Sequence, residues 1–448
     1  MLKKLTLISI LTVVLFSISF MIYNNKLEDK NISKLEAVVV SINDNEIILM
    51  DTNNIIYTFK EDTITGNLGD NIIISYSGLL DKNSNIQNIE IVDYTINTAN
   101  DNNISYDQGI FSKYYKLAKR KLEELTLDDK IGQLILARYP DNNVLNDLNK
   151  YKLGGFVFYE KDFKNKTKLE VIDMINNVQK NSKIPMLIAV DEEGGKIVRV
   201  SSNPKLALER FKSSKELYSS GGMEEIRQDT INKSILLASL GINLNLAPVV
   251  DVTTNSNDYM YERAIGENTE ITSLYAKTVI NASKNMDVSY TLKHFPGYGN
   301  NFDTHNSTSV DIRSYESLIA NDIPPFIAGI NAGAEAILVS HNIVSSIDSD
   351  NPASLSPKIH NFLRNELNFT GVIITDDLEM GATSSIESSA IKALLAGNDL
   401  IITTNYANSF SSIKNAVTNG IISEEIIDKL AFKILSCKYY KGLISEEK

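Results

Sequence analysis

The sequence is poor in several residue types that define common protein classes. It has one cysteine, Cys437, and no tryptophan among 448 residues. A single cysteine cannot form an internal disulfide, so the class of small disulfide-stapled domains is excluded. The formal net charge is −12, with 44 Lys and Arg against 56 Asp and Glu. A chain of this charge cannot neutralise a run of phosphates, and we therefore expect no nucleic-acid partner.

Three sequence patterns of well-known catalytic sites are also missing. There is no H-E-x-x-H and no paired Cys/His spacing, so a zinc site is not expected. There is no G-x-S-x-G nucleophile elbow and no G-x-x-x-x-G-K-[ST] phosphate loop. The chemistry that remains is that of carboxylates and histidines. We expect neither a metal nor an organic cofactor.

The N-terminal end carries the longest apolar run. Lys3 and Lys4 precede LTLISILTVVLFSISFMIY at residues 5–23, which would span roughly 28 Å as a helix. The lysines orient the N-terminus inwards and the rest outwards. We interpret residues 1–30 as a signal peptide or an uncleaved membrane anchor, and the lack of a small-x-small cleavage site favours the anchor. A buried core helix is the alternative. We therefore expect an extracytoplasmic bacterial protein, membrane-anchored or secreted.

Residues 31–95 contain five short β-rich runs separated by Asn, Asp and Gly clusters. Five such strands predict a small all-β domain, either a barrel or a sandwich. It carries no catalytic constellation, and the sequence does not decide between a spacer and a binding module. The polar, turn-rich residues 96–107 are predicted to be a linker.

From residue 108 to residue 448 helical and strand-like patterns alternate. Thr126 followed by Asp129 predicts a helix start with a capping box. Eight apolar runs are predicted strands: 134–138, 154–159, 185–191, 242–251, 289–294, 334–341, 371–377 and 399–405. Eight buried strands with helical crossovers are typical of an α/β fold, the (β/α)8 TIM-type barrel. A doubly wound open sheet is the alternative.

Polar residues cluster where these predicted strands end. They are Asp191, Asp251, Lys293, His294, His341, Asp376, Asp377 and Asn405. In a barrel the carboxyl ends of the strands converge on one mouth, where active sites are built. Carboxylates beside proton-transferring groups suit glycoside cleavage, which needs an anion at the anomeric carbon and an acid at the leaving oxygen.

Four motifs, in order, resemble glycoside hydrolase family 3 and most of all its bacterial β-N-acetylglucosaminidase branch. They are VDEEGGKIVR (190–199), ERAIGE (262–267), KHFPGYG…DTH (293–305) and ITDDLEMGA (374–382). The resemblance covers about residues 108–448 and implies a single catalytic barrel of the single-domain type.

The resemblance also implies the roles of individual residues. Asp376 would be the nucleophile of a retaining mechanism, and Asp377 a structural hydrogen-bonding residue. His305 would be the general acid/base with Asp303 as its partner, since an imidazole pKa of about 6.5 suits proton transfer near neutral pH. The sugar subsite would contain Asp191, Arg199, Arg263, Lys293 and His294. Structural ion pairs are the alternative reading of Asp191 and the two arginines, and His341 is either close to the site or a buried structural histidine.

The expected activity is that of an exo-β-N-acetylglucosaminidase, acting as a monomer on peptidoglycan-derived fragments that carry a terminal GlcNAc. A β-N-acetylglucosaminide phosphorylase and a β-glucosidase on the same fold are alternatives, and so is a catalytically inactive cell-wall sugar-binding protein. The chain departs from the family pattern at Tyr298, where histidine is common, at Glu192, where glutamine is common, and at Ala264-Ile265, where Ser-Phe is more usual. These departures bear on subsite preference.

Overall fold

The computed structural model describes residues 32–43, 46–51, 55–60, 63–64, 71–80, 89–97, 109–301, 303–304 and 308–445. The predicted membrane segment at residues 5–23 and the predicted acid/base His305 lie outside these ranges. Within them, no helix is both long enough and apolar enough to cross a bilayer. The chain divides into two compact units, with the boundary between Asp101 and Asn102.

The first unit is one antiparallel sheet of five strands. These are β1 (Ser33–Asn43), β2 (Glu46–Asp51), β3 (Ile56–Lys60), β4 (Asn71–Ser77) and β5 (Glu90–Asn97), in the order β3-β2-β1-β4-β5. Alternate residues of β1, namely Leu35, Ala37 and Val39, enter the hydrophobic core of this unit. The five strands are confirmed, but the described strands form a single open sheet. The predicted barrel or sandwich is therefore wrong, because β3 and β5 each pair with one neighbour only.

The second unit is built on a closed barrel of eight parallel strands. They are β6 (Ile135–Arg138), β7 (Gly155–Phe158), β8 (Leu187–Val190), β9 (Leu244–Asn245), β10 (Ser289–Phe295), β12 (Ala336–Val339), β14 (Val372–Asp377) and β15 (Leu400–Thr403). A separate parallel pair is formed by β11 (Val310–Asp311) and β13 (Ile343–Val344). The pairing of β15 with β6 closes the ring. This confirms the predicted TIM-type barrel and excludes the doubly wound sheet, which would have two free edges.

The described α-helices of this unit alternate with the barrel strands. They are α1 (Tyr115–Glu123), α2 (Leu127–Gln133), α3 (Val144–Tyr151), α4 (Glu160–Phe163), α5 (Lys168–Asn181), α6 (Ser214–Ser239), α7 (Thr269–Ser283), α8 (Tyr315–Asn321), α9 (Ile323–Ala332), α10 (Pro357–Asn361), α11 (Ser389–Ala396), α12 (Tyr406–Thr418) and α13 (Glu424–Tyr440). The capping box predicted for α2 is confirmed: Thr126 Oγ1 accepts from the Asp129 amide at 3.3 Å, and Asp129 Oδ2 accepts from the Thr126 amide at 3.0 Å.

The barrel forms because its strands are buried on both faces. Every residue of β7, β8, β12 and β15 is buried, as expected for a parallel sheet covered by helices. Gly155 opens β7 because a Cβ at this position would lie 2.4 Å from the carbonyl oxygen of Leu187 on β8. The predicted strand 242–251 is much shorter than expected. Beyond Asn245 the segment contains Pro248, which has no amide hydrogen. It contacts β10 through isolated backbone hydrogen bonds, such as that from Val250 N to Lys293 O at 2.8 Å.

Candidate active site

The barrel brings together most of the residues that the sequence predicted for the site. Asp191 follows β8, Lys293 and His294 lie in β10, and Asp376 is the next-to-last residue of β14. Each is at the carboxyl end of its strand, so all four belong to the same mouth of the barrel. Adjacent residues of a strand usually point to opposite faces. The pairing of β10 with β12 is irregular between Leu292 and Phe295, and the normal alternation of side chains is interrupted there.

Lys293 is the centre of a buried ion cluster. Its Nζ lies 2.6 Å from Asp191 Oδ1 and 2.7 Å from Glu193 Oε1. Arg263 holds Glu193 through two bonds, Nε to Oε2 at 3.0 Å and Nη2 to Oε1 at 2.7 Å. Burial alone would raise the pKa of Glu193, but Arg263 and Lys293 hold that pKa far below its ordinary value. Lys293 in turn has a raised pKa, because Asp191 and Glu193 outweigh its burial. Glu193 and Lys293 therefore both stay charged at neutral pH.

Arg199 borders this cluster on the side of Asp191. Its Nη2 lies 3.8 Å from Asp191 Oδ2, and its guanidinium carbon lies 5.6 Å from the centre of the Tyr159 ring. Burial raises the pKa of Tyr159, and the carboxylates of Asp191, Asp377 and Asp376 raise it further. Tyr159, which follows β7, is thus close to the predicted catalytic carboxylates.

The neighbouring Glu192 has a different function from Glu193. It is fully buried, and its carboxylate accepts hydrogen bonds from the amides of Arg199 and Val200 at 2.7 Å each and from the Ser201 amide at 3.1 Å. These bonds fold the segment that carries Arg199 back against Asp191. The family departure at Glu192 therefore concerns the shape of this loop.

His294 is oriented by Asp251 and Arg263. Its Nδ1 lies 2.7 Å from Asp251 Oδ2, and its Nε2 lies 3.3 Å from Arg263 Nη2. A guanidinium can only donate, so Nε2 accepts and the Nδ1 proton is donated to Asp251. Asp251 Oδ1 also accepts from the Tyr298 amide at 2.7 Å. Asp251 is thus the residue that fixes the tautomer and the ring plane of His294.

Asp376 and Asp377 differ in their contacts. Asp377 uses both carboxylate oxygens within its own loop, since Oδ1 accepts from the Glu379 amide at 3.1 Å and Oδ2 from Thr404 Oγ1 at 3.0 Å. Asp376 Oδ1 accepts from the Asp377 amide at 2.9 Å, and the described residues place no donor on its Oδ2. Burial would raise the pKa of Asp376, but His341, His294, this amide and Lys293 bring it below the ordinary value. Asp376 is therefore an anion at neutral pH.

His341 lies beside this pair and is completely buried. Its Nε2 donates to the backbone carbonyl of Asp377 at 3.0 Å, and its Nδ1 lies 2.6 Å from Ser354 Oγ. The sequence left open whether His341 is structural or close to the site, and its contacts make it both. His360, to which the sequence assigned no role, is buried in α10, where its Nδ1 contacts the Ser356 carbonyl at 2.8 Å.

Asp303 reaches the mouth on the loop that follows β10. Burial raises the pKa of Tyr259 first, the Arg263 cation lowers it, and the Asp303 carboxylate raises it again. Tyr259 therefore lies close to both Asp303 and Arg263. His305, the predicted partner of Asp303, lies outside the described residues.

Sequence reasoning placed Asp251 at the mouth without giving it a role, and it missed Glu193 and Tyr259 as members of this site. Glu193 and Asp251 had visible signals, since one belongs to the VDEEGG motif and the other ends an apolar run. Tyr259 had none, because its loop shows no strand end and no recognisable motif.

A closed parallel barrel with buried carboxylates and cations at its carboxyl-end mouth defines a (β/α)8 enzyme. The chain belongs to glycosyl hydrolase family 3: the family description "Glycosyl hydrolase family 3 N terminal domain" matches residues 126–437. This confirms the resemblance drawn from the motifs and makes the chain a member of a glycoside hydrolase family.

Two proteins named β-hexosaminidase are similar to this chain in sequence. A β-hexosaminidase of Stenotrophomonas maltophilia strain K279a is 32% identical over 259 residues, which cover 56% of this chain and 76% of the relative. A β-hexosaminidase of Xanthomonas campestris pv. campestris strain B100 is 29% identical over 257 residues, with the same two shares.

Solved structures superpose on the fold of this chain. A family 3 β-N-acetylglucosaminidase from Paenibacillus sp. FPU-7 superposes with a TM-score of 0.68 at 26% identity, covering 72% of this chain and 64% of that protein. This chain thus spans less than two thirds of that relative. The β-glucoside phosphorylase BglX superposes with a TM-score of 0.67 at 22% identity, which shows a shared fold alone.

Proposed function

We propose that this protein is a retaining exo-β-N-acetylglucosaminidase that releases terminal GlcNAc from peptidoglycan-derived fragments. The observation that carries the proposal is the state of Asp376. It is a carboxylate kept ionised despite burial, at a strand end, in the same mouth as the Lys293 cluster. The relatives named β-hexosaminidase and β-N-acetylglucosaminidase support GlcNAc as the sugar.

The residues divide into those that bind the sugar and those that react. Asp191 accepts hydrogen bonds from sugar hydroxyls, while Lys293, Arg199 and Arg263 donate to hydroxyl and acetamide oxygens. These donors already hold carboxylates in place, so little reorganisation is needed when the sugar enters. His294, fixed by Asp251, presents its Nε2 edge to the same subsite.

The reaction proceeds in two displacements. Asp376 attacks the anomeric carbon and forms a glycosyl ester, while His305 donates its proton to the departing glycosidic oxygen. Asp303 stabilises the imidazolium before this transfer. His305 then takes a proton from water, which attacks the anomeric carbon and releases Asp376 as a carboxylate. Two inversions leave the released GlcNAc in the β configuration.

Stereochemistry and acceptor choice test this directly. Nitrophenyl β-GlcNAc and nitrophenyl β-glucoside are offered to the protein, and the first-formed product is followed by proton NMR. The proposal expects turnover of the GlcNAc substrate with β-GlcNAc formed first. Adding inorganic phosphate distinguishes phosphorolysis, because GlcNAc-1-phosphate would then replace free GlcNAc. Release of α-GlcNAc first, or turnover of the glucoside alone, would refute the proposal.

The proposed location is the outer face of the cytoplasmic membrane. It depends on Lys3, Lys4 and the apolar run at residues 5–23, whose charge order directs the rest of the chain outwards. Fractionation of cells that express the full chain tests it. Sedimentation with membranes, combined with digestion by protease added outside spheroplasts, is the expected result, and protection from that protease would contradict it.

A further inference from the structure

Tyr298 lies between the sugar subsite and the loop that carries Asp303 and His305. It is 2% exposed, its amide donates to Asp251 Oδ1 at 2.7 Å, and its ring meets the His294 ring edge-on at 5.6 Å between centroids. Its backbone and ring are therefore fixed by the same residues that orient His294. The family pattern commonly has histidine here, so the phenol is a feature of this chain.

Within the described part of the loop, the Tyr298 hydroxyl bonds to a single residue, Thr304. It accepts a hydrogen bond from the Thr304 amide at 2.9 Å, and it lies 2.9 Å from Thr304 Oγ1. Because the phenol oxygen already accepts from the amide, its own proton is available for Thr304 Oγ1. Thr304 is 1% exposed, and it stands in the chain between Asp303 and His305.

The other side of Thr304 is tied to the strand that carries Asp376. The Ala382 amide donates to the Thr304 carbonyl at 3.2 Å, and Ala382 follows β14 in the ITDDLEMGA motif. Thr304 thus joins the end of β10 to the end of β14. The Tyr259 ring packs on the Tyr298 ring at 5.7 Å between centroids, and the Asp303 carboxylate is close enough to raise the pKa of the Tyr259 hydroxyl.

We propose that Tyr298 is a positioning residue for the acid/base step. Its hydroxyl anchors Thr304, and thereby sets the position of the neighbouring Asp303 relative to Asp376. The inference depends on the proposed function, because it assumes that Asp303 and His305 together deliver the proton to the leaving oxygen. Proton donation is effective only within hydrogen-bond reach, so a released loop loses this step first.

Substrates that differ in their need for an acid test the proposal. N,N′-diacetylchitobiose has a sugar leaving group that must be protonated, whereas 2,4-dinitrophenol leaves without help. For Tyr298→Phe we expect kcat/KM on the disaccharide to fall by on the order of 10- to 100-fold. On the dinitrophenyl β-GlcNAc it should stay within about threefold. A residue that only stabilises the barrel would affect both substrates equally.

Tyr290→Phe is the matched control. Tyr290 is another buried tyrosine of β10, and its hydroxyl bonds to Ser234 Oγ at 3.1 Å and to the Thr230 carbonyl at 3.3 Å, away from the loop. Tyr290→Phe should change kcat/KM on the two substrates by the same factor. Thr304→Val is the second variant; it removes the Oγ1 partner but keeps the amide, and it should show a smaller selective loss than Tyr298→Phe.

The outcomes separate this proposal from the proposed function. Wild-type turnover of both GlcNAc substrates is the prior test of the activity, and its absence refutes the activity together with this inference. When the wild type cleaves both, a selective loss on the disaccharide in Tyr298→Phe and Thr304→Val supports the positioning role. If a folded Tyr298→Phe protein loses kcat/KM equally on both substrates, or on neither, the positioning role is overturned. The proposed activity is then left intact.

Discussion

Lys293 Nζ lies 2.6 Å from Asp191 Oδ1, although the two residues are 102 positions apart in the chain. The same ammonium group lies 2.7 Å from Glu193 Oε1. One buried cation therefore separates two carboxylates that would otherwise repel each other, and the binding geometry of the mouth depends on it.

Removing this cation should destabilise the fold as well as the site. Lys293→Met leaves two buried carboxylates with less compensation, and we expect the free energy of unfolding to fall by about 3–5 kcal/mol. Urea unfolding followed by circular dichroism measures it. The exposed pair Arg227–Glu224 supplies the control, since Arg227→Ala should cause no measurable change. A loss below about 1 kcal/mol for Lys293→Met would contradict the account.

Asp251 should act on the reaction through His294. Asp251→Asn leaves one acceptor oxygen for two donors, the Tyr298 amide and His294 Nδ1. The imidazole can then adopt the wrong tautomer, and we expect kcat/KM on nitrophenyl β-GlcNAc to fall at least about tenfold. Asp348→Asn is the control, because Asp348 is a buried carboxylate bonded to Ser356 and Asn351. An equal loss in both variants would argue that burial of a carboxylate, and not the orientation of His294, is what matters.

The fall of kcat/KM at low pH should follow the protonation of Asp376. Burial raises the pKa of this carboxyl, while His341 and His294 lower it below the ordinary value of 3.8. His341→Gln retains a donor for the Asp377 carbonyl but removes the electrostatic influence by which His341 lowers the pKa of Asp376, so that pKa should rise. The acid limb of kcat/KM should then move to higher pH than in the wild type. An unchanged acid limb in a folded variant would show that His341 does not control Asp376.

Two buried lysines at the opposite end of the barrel should make stability depend on pH. Burial lowers the pKa of Lys438 and of Lys433 to about 7, from 10.5. Between pH 7 and pH 9 the unfolded chain therefore binds more protons than the folded one, and stability rises with pH. Above pH 9 the buried thiol of Cys437, with its pKa raised to about 12, acts in the opposite direction.

Lys438→Met tests this because Lys438 Nζ donates to Gln133 Oε1 and to the Gly154 carbonyl at the start of the barrel strands. Whatever its effect on absolute stability, the variant should show a shallower rise of unfolding free energy between pH 7 and pH 9 than the wild type. Urea titrations at pH 7, 8 and 9 measure the slope. Identical slopes would mean that Lys438 is charged in the folded state.

The barrel was predictable because each strand carries its own local signal. Runs such as GGFVFY and GVIITDD are apolar, short and bounded by turn residues, and such runs remain strands in any parallel α/β fold. The extent of β9 was not predictable in this way. Pro248 and the return of Val250 towards Lys293 depend on the neighbouring strand, which the local pattern does not contain.

The site was predictable to the degree that its residues end strands or belong to motifs. Asp191, Lys293 and Asp376 fulfil both conditions. Tyr259 neither ends a strand nor belongs to a motif, and Thr304 belongs to the DTH motif only as the residue between Asp303 and His305. Their importance comes from the contact of Tyr259 with Tyr298 and of Thr304 with Ala382. These contacts join segments tens of residues apart, and they are set by the closure of the barrel. The ion pairs of Glu193 likewise appear only once β8 and β10 are neighbours of β9.

The most direct test of the central claim compares two adjacent carboxylates. Asp376→Asn and Asp377→Asn are assayed with nitrophenyl β-GlcNAc, with circular dichroism to verify folding. We expect Asp376→Asn to lose about 10⁴-fold or more in kcat, because the nucleophile is gone. Asp377→Asn, which disturbs only bonds to Glu379 and Thr404, should retain much more activity. A folded Asp376→Asn protein with activity close to the wild type, or a larger loss in Asp377→Asn, would contradict the assignment of Asp376 as the nucleophile.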